Sequence, residues 1–464
     1  MGKIKFGTDG WRAVVGQEFN DENVDIVTDA VGKYVFENFG INKKIIIGYD
    51  PRNKADEYSM RCAKRLAEIG FNVLYSKKIL PTPVLAYNAK LLNACALMFT
   101  ASHNPPEYLG IKFIPDYAGP ATSDITDKLV QNLGKSIPPQ KQGTLTIYDF
   151  RPEYEKQLEK LIDFEKIKEL KNTNIIFDGF YSASIGYFDH ILEKHGIKFN
   201  TINMIHDKNF GGGMPDPKPK FLKDLITKVK TTPNSIGLAN DGDADRFGVI
   251  NENGEYVTPN EIIAILLIHL TKNKGFKGSI VKTVGASLLL DRVAKKLGIE
   301  VIETAVGFKH VGEAMRKFNP VIGGEESGGL SIQGHIPEKD GLLANALILE
   351  VMAYENKTLV ELQQDLYEFA GCKFYNDRVD KQLNNLEEIQ PVLESFKTKK
   401  DFGKYKVIKT DLKDGVKLYL DDNSSWILVR PSGTEPLLRI YFESDSPKKI
   451  EELKQISLLG SIII

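Results

Sequence analysis

The sequence predicts three related α/β domains with mixed, mostly parallel sheets, followed by a smaller α+β domain. Three observations lead there. At 464 residues the chain exceeds the size at which one hydrophobic core keeps growing, so several domains are expected. Short β-branched runs recur, each with a helical pattern behind it. After Gly371 the texture changes to shorter, alternating strands.

The recurring runs are Ile45-Ile46-Ile47 before a helical pattern over 57–69, Ile175-Ile176-Phe177 before one over 184–195, and Ile280-Val281 before one over 287–297. Apolar runs without alternation suit strands covered on both faces, and strand–helix repetition makes parallel units. Segment 136–143, with Pro138 and Pro139, reads as a linker before a charged helix over 152–170. Residues 251–254 read as a turn before a helix over 259–272. Strands at 416–420 and 426–429 and a helix over 447–456 make up the last part. The expected domains are 1–150, 151–254, 255–371 and 372–464.

Composition narrows the function classes. With 42% hydrophobic and 27% charged residues the chain is ordinary globular material. Lys and Arg (61) balance Asp and Glu (62), so no global field draws it to nucleic acid or to an anionic membrane. No apolar run approaches the ~20 residues of a membrane span, and 262–268 reads as part of a buried helix. The first residues carry no apolar signal core, so a cytoplasmic location is the default expectation. Cys62, Cys95 and Cys372 are far apart and read as reduced thiols.

Four loops carry chemistry. The first is Thr100-Ala101-Ser102-His103-Asn104-Pro105-Pro106, after the apolar run 94–99. A strand ending in small residues and two prolines presents a rigid loop at the carboxyl edge of a sheet, where ligands of α/β proteins bind. Ser102 is expected to be exposed there, with His103 beside it and Lys112 on the next strand; a polar turn satisfying its own backbone is the plainer alternative.

The second is Asp241-Gly242-Asp243-Ala244-Asp245-Arg246, between expected strands at 235–239 and 247–250. Three carboxylates at alternate positions, separated by small residues, suit one hard divalent cation. An EF-hand is excluded, because its sixth position needs Gly and here holds Arg246. An aspartyl-phosphate phosphatase, with a nucleophilic carboxylate, stays open on this segment alone.

The third, Gly323-Gly324-Glu325-Glu326-Ser327-Gly328-Gly329, pairs a carboxylate with a hydroxyl between glycines that allow close approach of a polyol; taken alone, a flexible acidic loop is the plainer alternative, and Gly307-Phe308-Lys309-His310 is a candidate second wall. The fourth, Arg430-Pro431-Ser432-Gly433-Thr434-Glu435-Pro436, offers a guanidinium fork, hydroxyls and glycine-flanked amides, which suit a phosphate dianion. Phe210-Gly211-Gly212-Gly213-Met214-Pro215 is no dinucleotide fingerprint, since prolines at 215, 217 and 219 forbid a following helix, and it reads as a rigid loop beside the metal site.

These loops, in the order serine, metal, sugar, phosphate, resemble those of the α-D-phosphohexomutase superfamily along essentially the whole chain. The opening Phe6-Gly7-Thr8-Asp9-Gly10-Trp11-Arg12 is similar to that family's start. The resemblance implies four domains around a central cleft and an isomerase that interconverts hexose 1-phosphate and hexose 6-phosphate. It implies that Ser102 carries the phosphoryl group and shares one Mg²⁺ per chain with Asp241, Asp243 and Asp245. Arg12, His103, Lys112 and Arg246 fall at catalytic positions, with His103 and Lys112 as candidate general acid and base. Lys309, Glu325, Ser327, Arg430, Ser432, Gly433 and Thr434 fall at substrate-binding ones.

A hexose bisphosphate, glucose 1,6-bisphosphate, is the implied intermediate and activator. Glu326, Gly329 and Phe308-Lys309 look more like the glucose-phosphate branch than the mannose/glucose branch, which has histidines at the Phe308 and Gly329 positions. The glucosamine branch has Gln at the Glu326 position. Phosphoglucomutase therefore ranks first and phosphomannomutase second, with a Mg-dependent phosphatase as the rival chemistry. Hexose phosphates are the only expected partners, and the chain is expected as a monomer or weak homodimer.

Overall fold

Among the described residues, four sheets follow one another along the chain. The computed structural model describes residues 4–7, 10–138, 140–432 and 436–459. In the first sheet, strand Ile45–Tyr49 lies parallel to Cys95–Phe99 on one side and to Val73–Tyr75 on the other, with all five of its residues buried. Helices cover both faces, which is why the Ile45-Ile46-Ile47 run does not alternate. Strand Tyr108–Ile114 pairs antiparallel with Cys95–Phe99, so the loop carrying Ser102 closes a hairpin at the sheet's carboxyl edge.

The second sheet centres on Asn174–Asp178 and Ser235–Asn240, which run parallel; Ser235–Asn240 then pairs antiparallel with Phe247–Ile250 across the acidic loop. The third has Ile280–Thr283 parallel to Val301–Thr304 and to Ile322–Glu325, then a hairpin to Gly329–Ile332. The fourth is a six-stranded, wholly antiparallel sheet with its own apolar core, including Phe396, Phe402, Ile427 and Phe442. Three mixed α/β domains and an antiparallel C-terminal domain result.

Two helices differ from the expectation. The charged stretch expected as one helix over 152–170 is two, Arg151–Leu161 and Phe164–Ile167. Asp163 interrupts it: its side chain caps Lys166 N–H at 2.9 Å, while its own N–H donates to Glu350 at 2.7 Å. The helix expected over 184–195 is shorter, Phe188–Lys194, because Ser182 and Ser184 make turn hydrogen bonds before it.

Helix Gly341–Glu355 is apolar on every side and buried from Gly341 to Ala353, the signature of a helix inside a core. One continuous apolar cluster runs from Ile46 through Phe177 and Leu267 to Leu347, so the first three domains share packing. The C-terminal domain instead meets the third through a small patch of Val284, Trp426 and Leu428 and through Glu443, which accepts from Leu288 N–H at 2.8 Å.

Candidate active site

The hairpin loop of the first domain turns sharply at Ser102, whose φ of 52° lies in the left-handed region. For a non-glycine residue such a conformation costs about 1–3 kcal/mol and persists only when its surroundings impose it. Thr100 Oγ1 accepts the Ser102 N–H at 2.8 Å, and Arg52 donates to the Ser102 carbonyl at 2.6 Å. The expected exposure of Ser102 is incorrect: it is 1% exposed, because the acidic loop of the second domain covers it. Ser102 Oγ donates to Asp241 Oδ2 at 2.8 Å, and His103 Nδ1 lies 3.3 Å from the same Ser102 oxygen.

The acidic loop is fully buried at its three aspartates. Asp241 Oδ1 accepts Arg246 N–H at 3.0 Å. Asp243 Oδ2 accepts from Thr82 Oγ1 at 2.6 Å and from Lys112 at 2.9 Å. Asp245 Oδ2 accepts from two lysines, Lys112 and Lys339, each at 2.7 Å. The other oxygens, Asp243 Oδ1 and Asp245 Oδ1, are buried without a hydrogen-bond partner.

One oxygen from each aspartate falls within 4.8 Å of the others. Three buried carboxylates converging in this way, with two oxygens left without a partner, fit a divalent cation such as Mg²⁺. The electrostatics point the same way. Burial, then the charges of Asp245 and Asp243, pushes Asp241 well above the usual carboxylate range. Burial opposes the charge of Asp245, yet Lys112, Lys339 and Arg246 hold its carboxyl far below that range. Burial likewise works against Arg246, but Asp245, Asp241 and Glu325 push its pKa up. For His103, burial and the nearby Arg246 and Arg12 lower the pKa far enough to keep the imidazole neutral.

The third domain closes on this centre from the other side. Phe247 N–H donates to Gly328 O at 3.1 Å, and Gly341 N–H to Ala244 O at 3.1 Å, which seats the 323–329 loop and the buried helix against the acidic loop. Glu325 is buried and accepts from Ser327 Oγ at 2.5 Å; burial raises its pKa. Glu326 turns away, accepting from Thr283 Oγ1 at 2.6 Å. Lys309 reaches to Ser123 Oγ of the first domain at 2.9 Å. Arg12 donates to Asn104 Oδ1 at 2.7 Å, bracing the serine loop.

In the C-terminal domain, Arg430 pairs with Asp414 at 2.8 Å, and Asp414 also accepts Val306 N–H of the third domain at 2.8 Å. Arg430 Nε is buried without a partner, and Ser432 is buried. Gly433 and Thr434 lie outside the described residues.

Several site residues escaped the sequence reading. Lys339 sits in Pro337-Glu338-Lys339-Asp340-Gly341, a charged knot ahead of an apolar helix, and that abrupt switch was the available signal. Arg52 and Asp50 follow a β-branched strand in the same way as Ser102 follows an apolar one. Thr82 and Asp414 carried no signal.

Family models for phosphoglucomutase/phosphomannomutase match in order: α/β/α domain I over 3–138, domain II over 152–254, domain III over 258–369 and the C-terminal domain over 378–456. A phosphoglucomutase/phosphomannomutase of Thermococcus kodakarensis is 30% identical, aligned over 99% of this chain and 98% of its own length. This chain belongs to that family. It is a phosphohexomutase, an isomerase that moves a phosphoryl group within a sugar phosphate, which decides against the phosphatase reading.

A phosphoglucosamine mutase of Methanococcus vannielii is 29% identical over 99% of both chains. Among solved structures, a Thermus thermophilus protein provisionally described as a phosphomannomutase superposes with a TM-score of 0.87 at 30% identity, over 99% of each chain. The open form of a Paramecium phosphoglucomutase shares the fold, with a TM-score of 0.83 at 23% identity, covering 100% of this chain and 96% of its own.

Proposed function

We propose that this phosphohexomutase acts on glucose phosphates, with phosphorylated Ser102 as the phosphoryl carrier and Mg²⁺ on Asp241, Asp243 and Asp245. The observation that carries the reading is the direct Ser102 Oγ to Asp241 hydrogen bond beside two orphaned carboxylate oxygens. A bound Mg²⁺ supplies Lewis-acid stabilisation of the charge on the transferring phosphoryl group.

The chain's own residues account for the rest. Arg430, Ser432, Gly433 and Thr434 hold the phosphate that does not react, and Glu325 with Ser327 grips sugar hydroxyls. The free sugar hydroxyl attacks the phosphorus of phosphoserine as the bond to Ser102 Oγ breaks, and the hydroxyl proton ends on Ser102 Oγ. After the bisphosphate turns over, Ser102 Oγ attacks the other phosphorus, and the sugar–phosphate bond breaks to release the isomeric monophosphate. In that return step the Ser102 proton passes to the departing sugar oxygen; His103 Nδ1, 3.3 Å from Ser102 Oγ, orients the hydroxyl, while burial and the charges of Arg246 and Arg12 disfavour an imidazolium there. Lys112 is held between two carboxylates and suits charge balance better than proton transfer. Arg12 and Arg246 add positive charge. The four segments bounded at residues 150, 254 and 371 are the proposed working domains, with movement of the last admitting substrate.

A second reading, glucosamine phosphate, is favoured by the relatives named for that activity. It gains weight from Glu326, one of whose carboxylate oxygens is already taken by Thr283 Oγ1. Comparing kcat/KM for glucose, mannose, glucosamine and acetylglucosamine 1-phosphates, with Mg²⁺ and catalytic bisphosphate, decides between them. No turnover of any of the four overturns the assignment of Ser102. Ser102→Ala is expected to lose nearly all turnover while still binding sugar phosphate.

A further inference from the structure

The glycine-rich turn at 210–213 and the buried side chain of Arg52 take no part in the chemistry above, yet they meet directly behind Ser102. Arg52 is 3% exposed and lies just past strand Ile45–Tyr49. Its Nη1 donates to the carbonyls of Pro105 (2.8 Å) and Tyr108 (2.9 Å), and its Nη2 to those of Ser102 (2.6 Å) and Asn104 (2.7 Å). One guanidinium thus gathers four carbonyls from the short stretch between Ser102 and Tyr108, which begins at the phosphoryl carrier.

Asp50 completes the frame. Its Oδ1 accepts the Arg52 N–H at 3.1 Å, and its Oδ2 accepts from Thr100 Oγ1 at 2.5 Å, the same hydroxyl that takes the Ser102 N–H. Arg52 Nε lies 3.3 Å from Asp50 Oδ2 without hydrogen-bond alignment, so the pair is held by charge there.

The guanidinium carbon lies over the ring of Phe210, 5.0 Å from its centroid. That ring also lies beside the acidic loop, too close to leave room for a side chain at Gly242. A Cβ placed on Gly242 would meet Phe210 Cζ at 3.4 Å and Ser102 O at 2.6 Å, so backbone and ring are stacked with no spare layer between them. Pro215, at the end of the same turn, accepts the Gly242 N–H at 3.2 Å.

We propose that Arg52 is a positioning residue for the phosphoryl carrier: its fork fixes the Ser102 loop, and its contact with Phe210 fixes the separation of that loop from the metal loop. The inference rests on the mutase reading of Ser102. A lysine offers a point charge and three donors from one atom, and cannot span four carbonyls. Displacing a reacting group by about 1 Å costs about 100-fold in rate. Arg52 makes no contact with the sugar loop or the phosphate loop among the described residues, so ground-state binding is expected to survive its loss.

The test uses the full chain with Mg²⁺, as wild type, Arg52→Lys and Phe210→Leu, each checked for folding by circular dichroism. Turnover of glucose 1-phosphate gives kcat and KM. Labelling of Ser102 from radiolabelled glucose 1,6-bisphosphate gives the rate of loading. For Arg52→Lys the expected result is a kcat about 100-fold lower, a KM within threefold of wild type, and loading slowed by the same factor as kcat.

Phe210→Leu, which keeps the fork and loses the ring face, is expected to lower kcat about tenfold at unchanged KM; it carries the test if the Arg52 variant does not fold. A kcat within twofold of wild type in whichever variants fold, or a KM that rises as far as kcat falls, overturns the inference. Wild-type protein that neither turns over any hexose phosphate nor labels Ser102 sinks the mutase reading instead.

Discussion

Asp241 and Asp245 are four residues apart in one loop and both are buried, yet their replacement by asparagine should have very different costs. Asp241 is pushed toward its protonated form by burial and its two neighbours, so in the absence of a divalent cation Asp241→Asn swaps one neutral polar group for another. Its two hydrogen-bonding contacts, Ser102 Oγ and Arg246 N–H, can both be met by an amide. The expected loss is about 1 kcal/mol or less. Asp245 is ionised and holds Lys112 and Lys339 at once.

Removing that charge leaves two buried ammonium groups short of a counter-ion, and breaking a buried pair costs about 3–5 kcal/mol. At about 2–4 °C per kcal/mol for a large domain, Asp245→Asn should melt roughly 6–20 °C below wild type. The assay is thermal unfolding in excess chelator, followed by circular dichroism. Adding Mg²⁺ at about 100 times its dissociation constant should then stabilise wild type by about 2.7 kcal/mol and neither variant comparably. If the two variants lose equal stability in chelator, or Asp241→Asn loses more, the proposed division of charge in the triad is wrong.

Three further outcomes follow from the same geometry. Gly242→Ala places a Cβ 2.6 Å from the Ser102 carbonyl, so the serine and metal loops must separate; turnover should fall by about 100-fold, measured as kcat on the preferred sugar phosphate. Thr82→Val removes the hydroxyl that orients Asp243, and Mg²⁺ affinity measured by calorimetry should weaken by about tenfold or more. Lys417, buried between the third and fourth domains with its ammonium on Val284 O at 2.6 Å, has its pKa lowered to about 8, first by burial and then by Lys282. The unfolded chain therefore binds more protons than the folded one between pH 8 and 10.5, and stability should rise with pH across that window, by about 3 kcal/mol. Lys417→Met should flatten the rise, and a variant profile parallel to wild type in urea unfolding would count against the assignment.

Much of the molecule was legible in one dimension. The β-branched runs at Ile45, Ile175 and Ile280 form strands because burial on both faces demands unbroken apolar sequence, a local property. The Asp-x-Asp-x-Asp spacing and its small intervening residues likewise determine that the carboxylates converge, since a tight turn with Ala244 at a φ of 59° brings them together within one short loop. The charged stretch after residue 150 was less legible, because its break at Asp163 depends on Glu350, 187 positions away.

What tertiary structure alone decided is the partner each charged or polar side chain receives. Ser102 looked exposed in sequence and is buried because a loop 139 positions further on packs over it. Lys339 stood in none of the four loops and neutralises Asp245. Lys309, expected at the substrate, reaches Ser123, and Arg430 rests on Asp414. Local sequence sets backbone preference and periodicity, whose energies are summed over neighbours a few residues apart. Ion pairing in a buried site is set by distances of a few ångströms between segments far apart in the chain, and those distances exist only once the domains have packed.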